Sequence, residues 1–141
     1  MTKTQKMIYN EMFVKDAFSK WLGIEIIEIS KGYSQLKMIV TEKMLNGFKI
    51  AHGGITYSLA DSALAFASNA HGNKCISIET SISHTDSVNL GDILIATTEE
   101  LSLTNKTGLY LVTISNQNNK EIAYFKGTVY RTSKEWSNNE N

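Results

Sequence analysis

The stretch GGITYSLADSALAFASNA, residues 53–70, decides the fold. Alanine and leucine recur through it, residues that lose little on entering a helix, and Gly72 stands just beyond as a stop. A helix is predicted over Ile55 to Ala70, entered through His52-Gly53-Gly54, and it is the longest the sequence offers. From Gly53 to Ala70 the only formally charged side chain is Asp61. A helix apolar nearly all round must be covered nearly all round.

The cover must come from the flanking segments. Ile24 to Ile29 and Ser34 to Thr41, joined by Lys31-Gly32, read as a half-buried hairpin, with Leu36, Met38 and Val40 alternating with polar neighbours. Four more β-rich runs follow the helix: Lys74 to Ser83, Asp92 to Leu103, Gly108 to Ser115 and Glu121 to Arg131. Asn116 to Lys120 is turn chemistry. Before the hairpin, Met7 to Trp21 spaces its apolar side chains in helical turns, punctuated by Gly23. Helix, two strands, long helix, four strands implies an α+β domain, an antiparallel sheet curled around one central helix. One domain is expected over residues 1–136, with a polar, frayed tail at 137–141.

Composition narrows the partners. Fourteen basic and fourteen acidic side chains cancel among 141 residues, so no net field gathers a polyanion, and nucleic acid is not expected as a partner. Neither the start of the chain nor any later apolar run reads as a signal peptide or membrane span. Cys75 is the single cysteine and can form no internal disulfide, which suits a reducing cytoplasm. A soluble, cytoplasmic protein is expected.

Asp61 is the first chemical candidate, because a carboxylate on an apolar helix loses hydration with no cation within one turn to offset it. The plainer alternative places it on a narrow exposed stripe with Ser58, Ser62 and Ser68. His52-Gly53-Gly54 is the second candidate. The first turn of a helix leaves N–H groups unpaired at the positive end of the dipole, and glycine lets a ligand approach them. Fixed donors suit an oxygen that gains negative charge during acyl transfer. Gly53 and Asp61 are eight positions apart, about 12 Å along one helix, too far to serve one carbonyl. If a second copy packs its long helix antiparallel beside the first, Asp61 of one meets Gly53 of the other, so a homodimer is expected.

Other candidates are weaker. His52, His71 and His84 have no acidic partner at ligand spacing, so no metal is expected. Cys75 reads as a packed thiol. In Ile76-Ser77-Ile78-Glu79 the two isoleucines share one face and Ser77 shares the other with Glu79, where it could position water.

At Met44-Leu45-Asn46-Gly47, His52-Gly53-Gly54, Leu59-Ala60-Asp61-Ser62 and Asn69-Ala70-His71-Gly72, the chain resembles the hotdog-fold acyl-CoA thioesterases of the phenylacetate-degradation type. The likeness runs from about Asp16 through Arg131, with Lys20-Trp21-Leu22-Gly23-Ile24 early and Asn105-Lys106-Thr107-Gly108 late. It implies hydrolysis of a small or aromatic acyl-CoA without a cofactor, CoA being part of the substrate. Asp61 would act as general base or nucleophile, the Gly53 N–H as oxyanion donor, Asn46 would hold the thioester, His52 would orient the loop and Ser77 would place water. Gly54, Lys106 and Thr107 are the further substrate-binding candidates. Two dimers pairing into a tetramer is left open. The chain departs from the family at His84-Thr85-Asp86-Ser87, where relatives often carry an apolar-arginine-proline turn. A non-catalytic acyl-CoA binding protein is the alternative reading. A hotdog hydratase is less favoured, because no histidine follows Asp61 until His71, about 15 Å along the helix.

Overall fold

The computed structural model describes residues 1–136, so the tail expected at 137–141 lies outside the described residues. The long helix, α3, spans Gly53–Asn69. It begins two residues earlier than the sequence predicts, because the His52 ring caps it: Nδ1 accepts the Gly54 N–H at 2.9 Å. Its other helical segments are α1 (Lys3–Glu11) and α2 (Ala17–Trp21). The strands are β1 (Glu25–Ser30), β2 (Tyr33–Ile39), β3 (Asn73–His84), β4 (Ile93–Leu103), β5 (Thr107–Ser115) and β6 (Glu121–Glu135).

All six strands form one antiparallel sheet in the order β1-β2-β4-β5-β6-β3. α3 joins β2 to β3 and lies across the face between them, touching all six strands. Leu59, Ala60, Ala63, Leu64 and Ala67 are buried against inward residues of the sheet, among them Leu36, Met38, Leu94, Tyr110, Val112 and Phe125. The expected alternation is plain in β2, β4 and β5, where buried residues occupy every second position. Register shifts in β1, β3, β4 and at the end of β5 bend the strands, which is how a sheet curls around a helix. Among the described residues no helix is long and apolar enough to cross a membrane.

One expectation needs correction. Met7 to Trp21 is not one run of helix: Thr2 and Gln5 form a capping box that starts α1 earlier, and a 3-10 turn at Phe13–Lys15 breaks the chain. Asp16 then restarts it as α2 by accepting the Ser19 N–H at 2.9 Å. In β3, Ile76 and Ile78 lie open to solvent. They are 60% and 59% exposed, because β3 is an edge strand and its register shifts between Ser77 and Glu79.

Helix and sheet come into tight contact at Gly127 of β6. A Cβ there would sit 2.6 Å from Leu64 Cδ2 and 3.0 Å from Phe125 Cε1, and both neighbours are fully buried. Gly127→Ala is therefore expected to destabilise the fold by about 1–3 kcal/mol through overpacking. Combining it with Leu64→Ala should cost less than the sum of the two single changes, since the second makes room for the first. Chemical denaturation of the three variants checks this, and strict additivity would show that the helix does not abut the sheet here.

Candidate active site

The start of α3 gathers four of the residues singled out from sequence. His52 caps the helix and thereby uses the Gly54 N–H, so Gly54 serves the cap with its amide and has no N–H left to offer a ligand. The Gly53 N–H has no intramolecular partner among the described residues and points out of the helix end. The Asn46 side chain organises the preceding loop: Oδ1 accepts from Phe48 N at 2.9 Å and Ile50 N at 3.4 Å, which leaves its amide N–H groups available. Asn46, Gly53, Thr56, His84 and Asp86 line one cleft of about 210 Å³. On the other side of the helix start, Phe18, Leu45, His52, Gly54 and Ser58 line a second, of about 370 Å³.

Asp61 lies two turns further on. α3 is exposed or half-exposed at Gly54, Tyr57, Ser58, Asp61 and Ala65, the spacing of a single uncovered stripe. Ser62 and Ser68 do not share that stripe, contrary to the plainer reading of the sequence. Both are buried and bonded inside, Ser62 to the Ser19 hydroxyl at 2.7 Å and Ser68 to the Ala65 carbonyl at 3.2 Å. Asp61 is exposed in the single chain, yet surrounding protein removes enough water from its carboxyl to raise its pKa. The charge of Asp16, held at the start of α2, raises it further. Among the described residues Asp61 has neither a salt bridge nor a hydrogen-bonded side-chain partner, so nothing offsets the lost hydration.

The other candidates are spread out. Ser77 sits on exposed β3, between the Tyr57–Thr80 hydrogen bond and the Asn69–Cys75 contact, so it runs alongside the part of α3 that carries Asp61. Lys106 lies in the β4–β5 turn and Thr107 opens β5, at the far end of that strand from the turn that abuts His84, about 27 Å by strand length. Within one chain they are out of reach of Gly53. His71 pairs with Glu100 at 3.0 Å and does not approach Asp61. Cys75 is half-buried, and burial pushes its thiol pKa up against the opposing pull of Arg131. No group of three or more His, Cys, Asp or Glu side chains among the described residues could hold a metal ion.

Sequence reasoning missed the placement of four residues around the site. Asp16 faces Asp61, and its spacing to Ser19 was a legible helix-cap signal. Thr56 and His84 meet at the helix start, 28 residues apart, and no local signal joins them. Lys120 crosses from the β5–β6 turn to Asp86 at 2.5 Å, so the acid that replaces the family's usual cation is itself matched by one.

A family profile for the thioesterase superfamily matches residues 48–123. A protein of Archaeoglobus fulgidus described as a putative esterase is 41% identical over 125 residues, covering 89% of this chain and 81% of its own length. The acyl-coenzyme A thioesterase PaaI of Escherichia coli is 38% identical over 120 residues, covering 85% of this chain and 86% of its own. Its solved structure superposes with a TM-score of 0.89 at 35% identity, covering 95% of this chain and 99% of that one. A Streptococcus mutans protein solved with acetyl-CoA bound superposes with a TM-score of 0.77 at 28% identity, over 79% and 90% of the two chains.

The raised pKa of Asp61 has a sign that can be checked. The folded chain holds this proton more tightly than the unfolded chain, whose carboxyl titrates near the ordinary value of 3.8. Stability from this group is therefore greatest when Asp61 is protonated and is lost as pH rises from about 3.8 through the folded pKa. Asp61→Asn is expected to melt above wild type at pH 7, with the gap closing on acidification. Thermal melts across pH that show the Asn variant equally or less stable at neutrality would contradict this.

Proposed function

From the premise that this chain belongs to the thioesterase superfamily and is a thioester hydrolase, we propose that it hydrolyses small or aromatic acyl-CoA esters in a site shared by two copies. The observation that carries the proposal is the separation of an unpartnered amide at Gly53 from an unpartnered carboxylate at Asp61 on one rigid helix. Two copies of α3 packed antiparallel through the uncovered stripe would bring Asp61 of one level with Gly53 of the other. The exposed edge of β3, with Ile76 and Ile78 bare, supports a partner on the same side of the molecule.

In that site the thioester oxygen accepts the Gly53 N–H, helped by the positive end of α3, and the Asn46 amide holds the ester in place. Asp61 takes a proton from water as the water oxygen attacks the carbonyl carbon. The tetrahedral intermediate then collapses, the carbon–sulfur bond breaks and CoA leaves as its thiolate. Alternatively an Asp61 oxygen attacks first, and water hydrolyses the resulting anhydride. Either path uses the carboxylate form, and the raised pKa of Asp61, from burial and the nearby Asp16, makes that carboxylate a stronger base than a free one. Ser77, running beside the Asp61 stretch, is suited to placing the water. The CoA phosphates would meet Lys106 of the second copy or Lys120 beside the cleft mouth. A binding protein without turnover would need none of the unpartnered carboxylate, and a hydratase would need a histidine at Asp61 that His71, tied to Glu100, does not supply.

Asp61→Asn is expected to retain fold and substrate binding while turnover falls about 100-fold or more, since the amide is nearly isosteric and cannot accept the proton. A thiol-trapping assay over a panel of acyl-CoA esters measures this. Turnover within a few-fold of wild type would return the protein to the binding-only reading.

Mixing two inactive variants tests the shared site. Gly53→Pro removes the oxyanion donor at a position where proline is tolerated: it is the first helical residue, and His52 before it is already extended (φ −61°, ψ 138°). The added carbon would lie 3.3 Å from the His84 ring, a tight but adjustable contact. Co-refolding equal amounts of Gly53→Pro and Asp61→Asn makes about half the dimers mixed, each with one intact site, so activity should return to roughly a quarter of wild type. No recovery in demonstrably mixed, folded dimers would confine the site to one chain.

A further inference from the structure

Two polar side chains at the start of α3 remain without a role in this chemistry. Thr56 is 2% exposed, one turn into the helix, and its Oγ1 lies 3.0 Å from the Gly53 carbonyl oxygen and 2.6 Å from His84 Nε2. A threonine hydroxyl has one proton to give. If it goes to the Gly53 oxygen, His84 Nε2 must carry its own proton and donate it to Thr56. Both contacts are then satisfied with no polar atom left over, whereas the reverse arrangement leaves the Gly53 oxygen without this donor.

This arrangement holds one peptide plane at both ends. The carbonyl of the Gly53–Gly54 peptide accepts from Thr56, and its N–H donates to His52 Nδ1 at 2.9 Å. A line of hydrogen bonds thus runs from His84 through Thr56 and the Gly53–Gly54 peptide to His52, and bonds arranged in this way polarise one another. The plane next to it, separated by the single Cα of Gly53, bears the unpartnered N–H. Two consecutive glycines have no Cβ to restrict their torsions, so contacts from outside the helix add to what fixes the direction of a donor set on them. The His84 ring also closes on that Cα, since a Cβ built there would lie 3.3 Å from Cε1.

We propose that Thr56 and His84 are positioning residues that aim the Gly53 N–H at the developing oxyanion. The inference rests on Gly53 being the oxyanion donor, as above, and assigns the aim of that donor to two side chains that never touch the substrate carbonyl. An oxyanion donor acts only within a narrow distance of where the charge develops, so a misdirected N–H costs the transition state and spares the ground state.

Steady-state kinetics of Thr56→Val, Thr56→Ser, His84→Leu and His84→Gln test this. Thr56→Val keeps the shape and removes the relay, and it should lower kcat about 10- to 100-fold with KM unchanged. The affinity for a non-hydrolysable CoA thioether should not move. Thr56→Ser should restore kcat to within about two-fold, and His84→Gln, which retains a donating N–H, should exceed His84→Leu. The double variant Thr56→Val with His84→Leu should be no slower than the worse single variant, because both break one relay. A purely structural pair would instead lower the melting temperature at unchanged kcat, raise KM, or resist rescue by serine, and any of these overturns the proposal. Gly53→Pro separates the two readings. If it is inactive while Thr56→Val is fully active, only the positioning role fails, and if Gly53→Pro itself keeps full activity, the assignment of Gly53 as donor fails first.

Discussion

The structure depends on one constraint: a seventeen-residue helix with a single charge has to be removed from water on almost every side. Apolar area buried in this way is the main favourable term in folding, and here α3 brings Leu59, Ala60, Ala63, Leu64, Phe66 and Ala67 into the one core cluster it shares with the sheet. The alanines at 60, 63 and 67 are small enough to let the sheet come close, and Gly127 marks one point of tight contact. Covering a cylinder with a flat sheet is impossible, so the strands twist and their registers slip. The strand order follows as well, because the chain leaves α3 on the side away from β2 and enters β3 at the opposite edge.

The same constraint sets the electrostatics. With no other charge along α3, the partial positive charge at its first turn is uncompensated by acidic side chains there, and the free Gly53 amide inherits it. Asp61 experiences the converse, since crowding and the nearby Asp16 both disfavour its ionised form. An apolar helix thus makes its donor end more attractive to an oxyanion and its one carboxylate more basic. Both properties suit acyl transfer, and both arise from leaving charges out of the core rather than from adding groups to the site.

The serines and the asparagine that enter the core are bonded there, whereas the Tyr110 hydroxyl is buried without a partner among the described residues. Ser34 donates to the Ala63 carbonyl at 2.7 Å and lies 2.9 Å from the Thr98 hydroxyl, tying β2, β4 and the middle of α3 together. Ser62 and Ser19 join α3 to α2, and Asp16 closes that group by accepting the Ser19 hydroxyl at 2.6 Å. Asn69 anchors the far end of the helix by accepting the Cys75 N–H at 2.9 Å. Each bond fixes α3 against a different element, so the direction of its first turn is set along the whole length of the helix and not at the turn alone.

Periodicity and chain punctuation determined the long helix, the six strands, the sheet-around-helix architecture and the isolation of Asp61. These are local properties, legible because a buried helix must lack charges and a half-buried strand must alternate. His52-Gly53-Gly54 was legible for the same reason, as a helix start with small residues. The broken N-terminal segment was not, because capping by Thr2 and Asp16 outweighed the apolar spacing that runs through it. Nor was the exposure of Ile76 and Ile78, which follows from β3 lying at the edge of the sheet, a fact of strand order that no strand carries in its own sequence. Tertiary structure alone brought His84 to Thr56 and Lys120 to Asp86, and it placed Lys106 beyond the reach of Gly53. Contacts between residues distant in the chain depend on which strands become neighbours, and that choice is made by the collective burial of the helix, not by the residues that end up touching.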